Sequence, residues 1–188
     1  MEAAVEVKDF RPIKRIKLVI DKLISANQHA FIEGRKRTDT AIVANEFLDQ
    51  LLKSKKKGIA CKLDQEKAYD HVNWSCLQNI FKQMNFCDKW IGWIRYCIST
   101  VGFSIMIRGS PHGFFKAQRG LGPGDLLSPY LFTLVMEVLS MMIRWAENFG
   151  WIKGMSFGRT GGDSVTISHI LYADDTLLLC EAHRKHLL

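Results

Sequence analysis

The spacing of apolar and polar residues along the chain predicts a mixture of helices and short strands. Apolar residues recur at helical spacing in five segments, and short apolar runs bounded by glycine or charged residues occur between them and after them. Helices are predicted at residues 13–25, 39–53, 73–84, 89–99 and 129–148. Strands are predicted at residues 59–63, 103–107, 114–118, 167–172 and 176–180, the last two as a hairpin. This order of elements indicates an α+β fold.

Two of the predicted helices carry recognisable start signals. Asp39 is a residue type that caps helix N-termini, and Pro129 suits the first turn of the long helix. The segment Leu126–Ile143 is apolar enough to raise a membrane span as an alternative, but Glu137 would lie near the middle of the bilayer. We therefore expect a buried amphipathic helix and no membrane association.

Three carboxylates interrupt apolar, strand-forming stretches. Asp174 and Asp175 lie inside the run Leu171–Leu179, and Asp64 ends the run 58–63. Clustered buried anions are costly unless a cation neutralises them, and Mg²⁺ prefers carboxylate oxygens. If the two segments pair in one sheet, the sequence predicts metal-assisted phosphoryl chemistry. The alternatives are a hairpin turn that uses aspartates for their backbone tolerance and a capping role for Asp64.

Composition and charge favour a nucleic-acid partner. The 188 residues include 26 Lys and Arg against 19 Asp and Glu, a formal net charge of +7, although mild basicity is common among soluble proteins. The five cysteines form no Cys-x-x-Cys pair, which argues against a disulfide framework and a zinc site. The N-terminus lacks the pattern of a secretory signal. We expect an intracellular protein, nuclear or cytoplasmic.

Three further features are candidates for binding, each with a structural alternative. Tyr69 follows Asp64 by five residues and either walls the same pocket or belongs to the core. The glycine-rich loop Arg119–Asp125 either presents backbone amides to phosphate or reverses the chain tightly. Arg35, in a basic triplet, either contacts phosphate or lies in a solvated loop. The six histidines show no ligand spacing, so we assign them no metal role.

Five sequence motifs follow one another along almost the whole chain. They are Asp9-Phe10-Arg11-Pro12-Ile13; Ile24–Phe31 with Gly34-Arg35; Lys62–Asp70; Arg119-Gly120-Leu121 with Gly124-Asp125 and Leu127-Ser128-Pro129; and Tyr172-Ala173-Asp174-Asp175. Each motif alone is weak, but in this order they resemble the reverse transcriptase domain of non-LTR (LINE-type) retrotransposons, most like plant copies. The resemblance implies a right-hand polymerase palm with partial fingers and RNA-directed DNA polymerase activity.

The resemblance also implies roles for individual residues. Asp64, Asp174 and Asp175 would be the catalytic metal ligands, holding two Mg²⁺ ions that activate the primer 3′-hydroxyl and clamp the incoming triphosphate. Tyr69 would exclude the ribose 2′-hydroxyl. The other nucleotide-binding residues would be Gly124 and Arg35, and the template and primer contacts would be Arg119, Gly120 and Ser128. The implied partners are an RNA template, a DNA primer and deoxynucleoside triphosphates.

Departures from the family pattern predict low activity. The family usually has a basic residue, glutamine and proline where this chain has Gly122, Pro123 and Leu126. A finger segment between Ile13 and Lys17 is shortened, and no thumb follows Cys180. We therefore expect one domain truncated at both ends, with residues 1–58 as partial fingers and 59–188 as palm. The prediction is a weakly active or inactive element remnant, with a non-catalytic nucleic-acid-binding module as the alternative.

Overall fold

A computed structural model describes residues 10–54, 57–122, 124–157 and 165–182 of the chain. The helices are α1 (Phe10–Leu23), α2 (Arg37–Ser54), α3 (Trp74–Gln83), α4 (Asp88–Ser99) and α5 (Ser128–Asn148). The strands are β1 (Gly58–Asp64), β2 (Gly102–Ile107), β3 (Ser110–Lys116), β4 (Met155–Phe157), β5 (Val165–Ile167), β6 (His169–Tyr172) and β7 (Asp175–Glu181). All five predicted helices are therefore present. The sequence pattern did not reveal β4, and it revealed only the last residue of β5, Ile167.

The chain forms two compact units, each built from two separate stretches. The first unit joins the residues up to Leu23 with Lys67–Val135. The second joins Ile24–Glu66 with Met136–Leu188, so that the boundary falls inside α5. The division of the chain into a fingers segment 1–58 and a palm segment 59–188 stays a prediction.

In the first unit, α3 and α4 bury the apolar faces that their spacing predicts. The Asn73 side chain caps α3 by accepting a hydrogen bond from the Cys76 amide at 3.0 Å. The ring of Phe81 in α3 meets Trp90 in α4 edge to face at 5.0 Å. The buried residues of the two helices are Leu77, Ile80, Phe81, Trp90, Ile91, Ile94 and Ile98.

The hairpin β2–β3 has a tighter turn than the predicted 108–113. Only Arg108 and Gly109 connect the strands, and both have positive φ, 48° and 81°. Two-residue turns with this backbone match the twist of the flanking strands, which is why the chain reverses so early. Pro111 consequently lies inside β3, and every residue of that strand is exposed.

In the second unit, three antiparallel strands in the order β1-β7-β6 form the sheet that carries the aspartates. Its core contains Phe47 of α2 packed with Met155, Ile170 and Leu179. The predicted strand 167–172 is divided at Ser168, because the preceding residues pair with β4 instead.

Two expectations about helices have opposite outcomes. Asp39 is not the N-cap of α2, because the helix already begins at Arg37 and Asp39 lies in its first turn. The long helix α5 starts at Ser128, with Pro129 in its first turn as predicted. Within the described stretches, no helix combines the length and apolar character needed to span a bilayer.

Candidate active site

The register between β1 and β7 brings two of the three predicted carboxylates together. Asp64, the last residue of β1, is the cross-strand partner of Asp175, the first residue of β7. Residues directly opposite one another in an antiparallel pair project from the same face, with Cβ atoms about 4.5–5.5 Å apart. The two carboxylates are therefore close neighbours although 111 positions separate them in the sequence.

Asp174 lies beside this pair, in the turn between β6 and β7. Tyr172 pairs with Asp175, so the turn consists of Ala173 and Asp174 alone, and Ala173 has a φ of 53°. This turn corrects one detail of the prediction, in which Asp64 faces Asp174. Because the turn is so short, Asp175 begins the strand and takes the position opposite Asp64.

Lys62 joins the carboxylates from the same face of β1. It lies two residues before Asp64, and its Nζ is 2.8 Å from Asp175 Oδ1. The hydrogen bond and charge of Asp175 raise the pKa of Lys62, and the charges of Asp64 and Asp174 raise it further. Lys62 and Asp175 also line a cavity of about 190 Å³ together with Thr40 of α2.

The carboxylate oxygens of Asp64, Asp174 and Asp175 are chemically suited to a hard divalent cation. Carboxylate oxygens are the ligands that Mg²⁺ prefers, and the Lys62 ammonium already takes a cation's place at one of them. Among the residues that the structure describes, no group of three or more His, Cys, Asp or Glu side chains has a metal-binding arrangement. Of the predicted three carboxylates, the structure shows Asp64 and Asp175 as a cross-strand pair with Asp174 in the adjacent turn; Asp64 is exposed and the other two are half-buried. Metal binding by these three residues stays a prediction.

Tyr69 belongs to the first unit, where its ring is fixed by stacking. It lies 4.4 Å from the ring of Phe132 in α5, with an angle of 20° between the planes. Phe132 is buried, whereas Tyr69 is half-buried. The stacking supports the interpretation of Tyr69 as a core residue. That its ring walls the same pocket as Asp64 stays a prediction.

The glycine-rich loop is tied to the turn that carries Tyr69. The amides of Gly120 and Leu121 donate to the carbonyls of Val72 and Tyr69 at 2.8 and 2.9 Å. Gly120 has a φ of 84°, and a Cβ there would lie 2.9 Å from the Asp70 carbonyl oxygen. Tight chain reversal, the structural alternative for this loop, is therefore confirmed for its first half.

The other predicted residues of this loop differ in their surroundings. Arg119 is exposed, and Gly124 has a φ of 84° with no atom near its missing Cβ. Ser128 is buried, and its hydroxyl donates to Asp125 Oδ2 at 3.2 Å. Arg119 and Gly124 are thus open to a ligand, whereas Ser128 mainly orders the start of α5.

Arg35 holds the loop before α2 rather than pointing to solvent. Its guanidinium donates to the backbone carbonyls of Ser25 and Gln28, each at 2.5 Å. That loop pairs with β6, because the Leu171 amide donates to the Asn27 carbonyl at 2.8 Å. Arg35 therefore supports the strand that leads into the Asp174 turn, and these bonds give no support to the predicted phosphate contact.

A buried polar network around His169 escaped the sequence reasoning. His169 is fully buried, with Nε2 2.8 Å from Ser140 Oγ and Nδ1 2.9 Å from Ser168 Oγ. Burial, together with the positive charge of Arg144, lowers its pKa to about 4. Ser140 and His169 are 29 residues apart, so no local spacing could have indicated their contact. Lys62 was detectable in principle, because it alternates with Asp64 on one strand.

Comparison with known proteins assigns the chain to a family. The sequence profile of the reverse transcriptase (RNA-dependent DNA polymerase) family matches residues 6–188. The chain belongs to this family. The reverse transcriptase domain thus extends over nearly the whole sequence, as the order of its motifs predicted.

Relatives of this reverse transcriptase domain include retrotransposon proteins. The retrovirus-related Pol polyprotein from type-1 retrotransposable element R2 of Nasonia vitripennis is 24% identical over 95% of this chain and 16% of its own length. The R2 polyprotein of Popillia japonica is 26% identical over 80% of this chain and 21% of its own length. An uncharacterized mitochondrial protein of Arabidopsis thaliana is 46% identical over 38% of this chain and 56% of its own length. The predicted likeness to non-LTR retrotransposons is confirmed.

Solved telomerase structures share the fold of the domain. The apo telomerase of Candida tropicalis, truncated from its C-terminal domain, has a TM-score of 0.64 and 14% identity over 96% of this chain and 35% of its own. The Candida albicans telomerase, in complex with a fragment of telomeric RNA, has a TM-score of 0.62 and 13% identity, and the match covers 90% of this chain and 30% of the telomerase chain. The α+β fold of a reverse transcriptase palm with part of the fingers is confirmed.

Proposed function

We propose that this reverse transcriptase domain binds divalent cations at Asp64, Asp174 and Asp175 and that the bound cations serve RNA-templated DNA synthesis. The observation that carries the proposal is the pairing of Asp64 with Asp175 at the end of the hairpin that presents Asp174. Two Mg²⁺ ions at this edge would activate the primer 3′-hydroxyl and neutralise the phosphates of the incoming nucleotide.

The chain's own residues orient that edge. β1 and β7 hold the two opposed carboxylates in register, and the loop clamped by Arg35 supports β6 on the other side of β7. The buried His169, the first residue of β6, anchors that strand through its hydrogen bond with Ser140. Because all of these contacts are made by packed side chains or paired backbone, the carboxylates would meet a cation without large rearrangement.

Tyr69 is proposed to select deoxynucleotides. Its support is the stacking on Phe132, which keeps the ring in one place so that it could exclude a ribose 2′-hydroxyl by steric contact. Gly124 and Arg119 would contact nucleotide and template, respectively, since neither is enclosed by neighbouring side chains. Ser128 and Gly120 would shape the same loop from within.

The proposed substrates are an RNA template, a DNA primer and deoxynucleoside triphosphates. The formal charge of +7 and the RNA-bound telomerase neighbours support a polyanionic template. An intracellular location follows from such substrates and remains part of the proposal. We expect the chain alone to be weakly active or inactive, because Pro123 offers no side-chain amide where the family usually has glutamine.

Binding of a fluorescent deoxynucleoside triphosphate to the full chain tests the proposal without requiring turnover. We expect Mg²⁺-dependent binding that weakens about tenfold or more in Asp174→Asn, because a ligand oxygen loses its charge. Asp49→Asn is the matched control, since Asp49 is an exposed aspartate whose pair with Lys53 spans 3.7 Å. Tyr69→Val should bind ribonucleotides and deoxynucleotides alike, whereas Tyr69→Phe should keep the preference for deoxynucleotides.

The alternative, a nucleic-acid-binding module without chemistry, predicts a different result. Such a module would bind RNA in a salt-dependent manner, yet nucleotide binding would be indifferent to Mg²⁺ and to Asp174→Asn. That outcome would refute the catalytic proposal. Robust Mg²⁺-dependent primer extension on RNA by residues 1–188 would instead refute the expectation of low activity.

A further inference from the structure

The carboxylate edge of β1 and β7 contains one cation of its own, the ammonium of Lys62. Lys62 pairs across the strands with Leu177, so Asp175 is its diagonal neighbour on the same face. Diagonal neighbours are about 7–8 Å apart at the backbone, a distance that a lysine side chain spans. The register that brings Asp64 to Asp175 therefore also delivers the Lys62 ammonium to Asp175 Oδ1, at 2.8 Å.

The charges around this ammonium differ from those around an ordinary surface ion pair. Lys153 and Glu181 form a pair of the same length, 2.8 Å, at the opposite end of β7. There the Lys153 ammonium is bonded to the carboxylate of Glu181, the last residue of the strand. At the other end, Asp64 lies opposite Asp175 in the register and Asp174 precedes it in the turn, so three carboxylates neighbour the single ammonium of Lys62. Without Lys62, these three carboxylates would repel one another, and no other ion pair to them is seen among the residues that the structure describes.

The ammonium and a divalent cation compete for the same oxygens. A cation bound to Asp175 would place two positive charges within a few ångströms of Lys62 Nζ, and like charges at such separation repel. The lysine side chain is 64% exposed, so it can turn into solvent without disturbing packed residues. Departure of the ammonium therefore requires a rotamer change and no unfolding of the strand.

We propose that Lys62 is the built-in counterion of this carboxylate edge and that a divalent cation binds by displacing its ammonium from Asp175. The inference rests on the proposed cation site and adds a regulator to it. In the absence of a divalent cation, Lys62 keeps the three carboxylates compatible with a folded hairpin. When the cation enters, Lys62 leaves, so the lysine sets the concentration at which the site fills.

Manganese binding to the full chain tests this competition directly. Free Mn²⁺ has a strong electron paramagnetic resonance signal that disappears on binding, so affinity is read without any catalytic turnover. Lys62→Met keeps the length of the side chain and removes its charge. We expect Mn²⁺ to bind about tenfold more tightly to this variant, with the gain shrinking at high salt as screening increases. Lys62→Arg, which keeps the charge, should bind no more tightly than the wild type.

Lys153→Met provides the matched control. It removes an equally long and similarly exposed ammonium, 65% exposed, whose carboxylate partner Glu181 lies on β7, as does Asp175, the partner of Lys62. A general effect of net charge on cation binding would appear equally in both methionine variants, whereas displacement predicts the gain in Lys62→Met alone. Lys62→Met should also melt at a lower temperature than Lys153→Met without a divalent cation, and saturating Mn²⁺ should remove that difference.

The possible outcomes separate the inference from the proposed function. Equal affinity in wild type, Lys62→Met and Lys153→Met would overturn the counterion inference while the cation site stands. Binding by none of the three proteins would overturn the cation site and the inference together. Weaker binding to Lys62→Met than to the wild type would show that Lys62 assists the cation, which also overturns displacement.

Discussion

The buried His169 makes the stability of the second unit dependent on pH. Its ring is fully enclosed and neutral, with hydrogen bonds to Ser140 and Ser168 and the positive charge of Arg144 nearby. The pKa falls from the usual 6.5 to about 4 in the folded protein. Between these two pH values, the unfolded chain binds a proton that the folded chain does not. The free energy of unfolding must therefore fall as the pH decreases through this window.

The size of the effect follows from the two pKa values. At pH 7 the folded chain is unprotonated at this residue and the unfolded chain is mostly unprotonated, so nearly the full contribution of the neutral histidine is present. At pH 5 the unfolded chain is largely protonated at this residue and the folded chain is not, which lowers the free energy of unfolding by about 2 kcal/mol. The loss continues until the pH passes the folded-state value of about 4.

Urea unfolding followed by circular dichroism at pH 7, 6 and 5 measures this contribution. His169→Gln keeps a polar group that can reach Ser140 but does not titrate, so its stability should decrease less than the wild type's over the same range. Between pH 7 and pH 5, the wild type should lose about 2 kcal/mol more of its free energy of unfolding than His169→Gln loses. His112→Gln, which changes an exposed histidine in β3, should behave like the wild type. Parallel pH profiles for wild type and His169→Gln would refute the assignment of a depressed pKa to His169.

Two further predictions concern residues of the binding motifs. Gly120→Ala should lower the free energy of unfolding by about 2–4 kcal/mol, because an added Cβ meets the Asp70 carbonyl at 2.9 Å in a left-handed backbone. Gly109 has a similar left-handed backbone, but the space around its missing Cβ is open, so Gly109→Ala should lower the free energy of unfolding by only about 1 kcal/mol. Equal losses of stability in the two variants, measured by calorimetry, would exclude the clash at Gly120. Arg35→Met should cost about 2–3 kcal/mol through its two lost carbonyl bonds, without reducing RNA affinity more than Lys36→Met does. A larger drop in RNA affinity for Arg35→Met would restore the predicted phosphate contact.

The elements that form locally could be read from the sequence. The apolar spacing predicted all five helices, because an amphipathic helix repeats its buried face every three or four residues. The aspartates were noticeable for a related reason, because charged residues interrupt the apolar runs that are typical of strands. The turn after β2 was predicted at residues 108–113, but its restriction to Arg108 and Gly109 was not, because it requires positive φ at a non-glycine residue, which is uncommon.

Contacts between distant segments were decided only by the tertiary structure. The sequence by itself determined that Asp64, Asp174 and Asp175 end or interrupt strands, and their motifs identified the family. The antiparallel register then chose Asp175 as the partner of Asp64 and brought Lys62 to the same carboxylate. A shift of one residue in that register would send alternate side chains to the other face, so local patterning cannot fix such pairings. They depend on where the whole sheet buries its apolar residues.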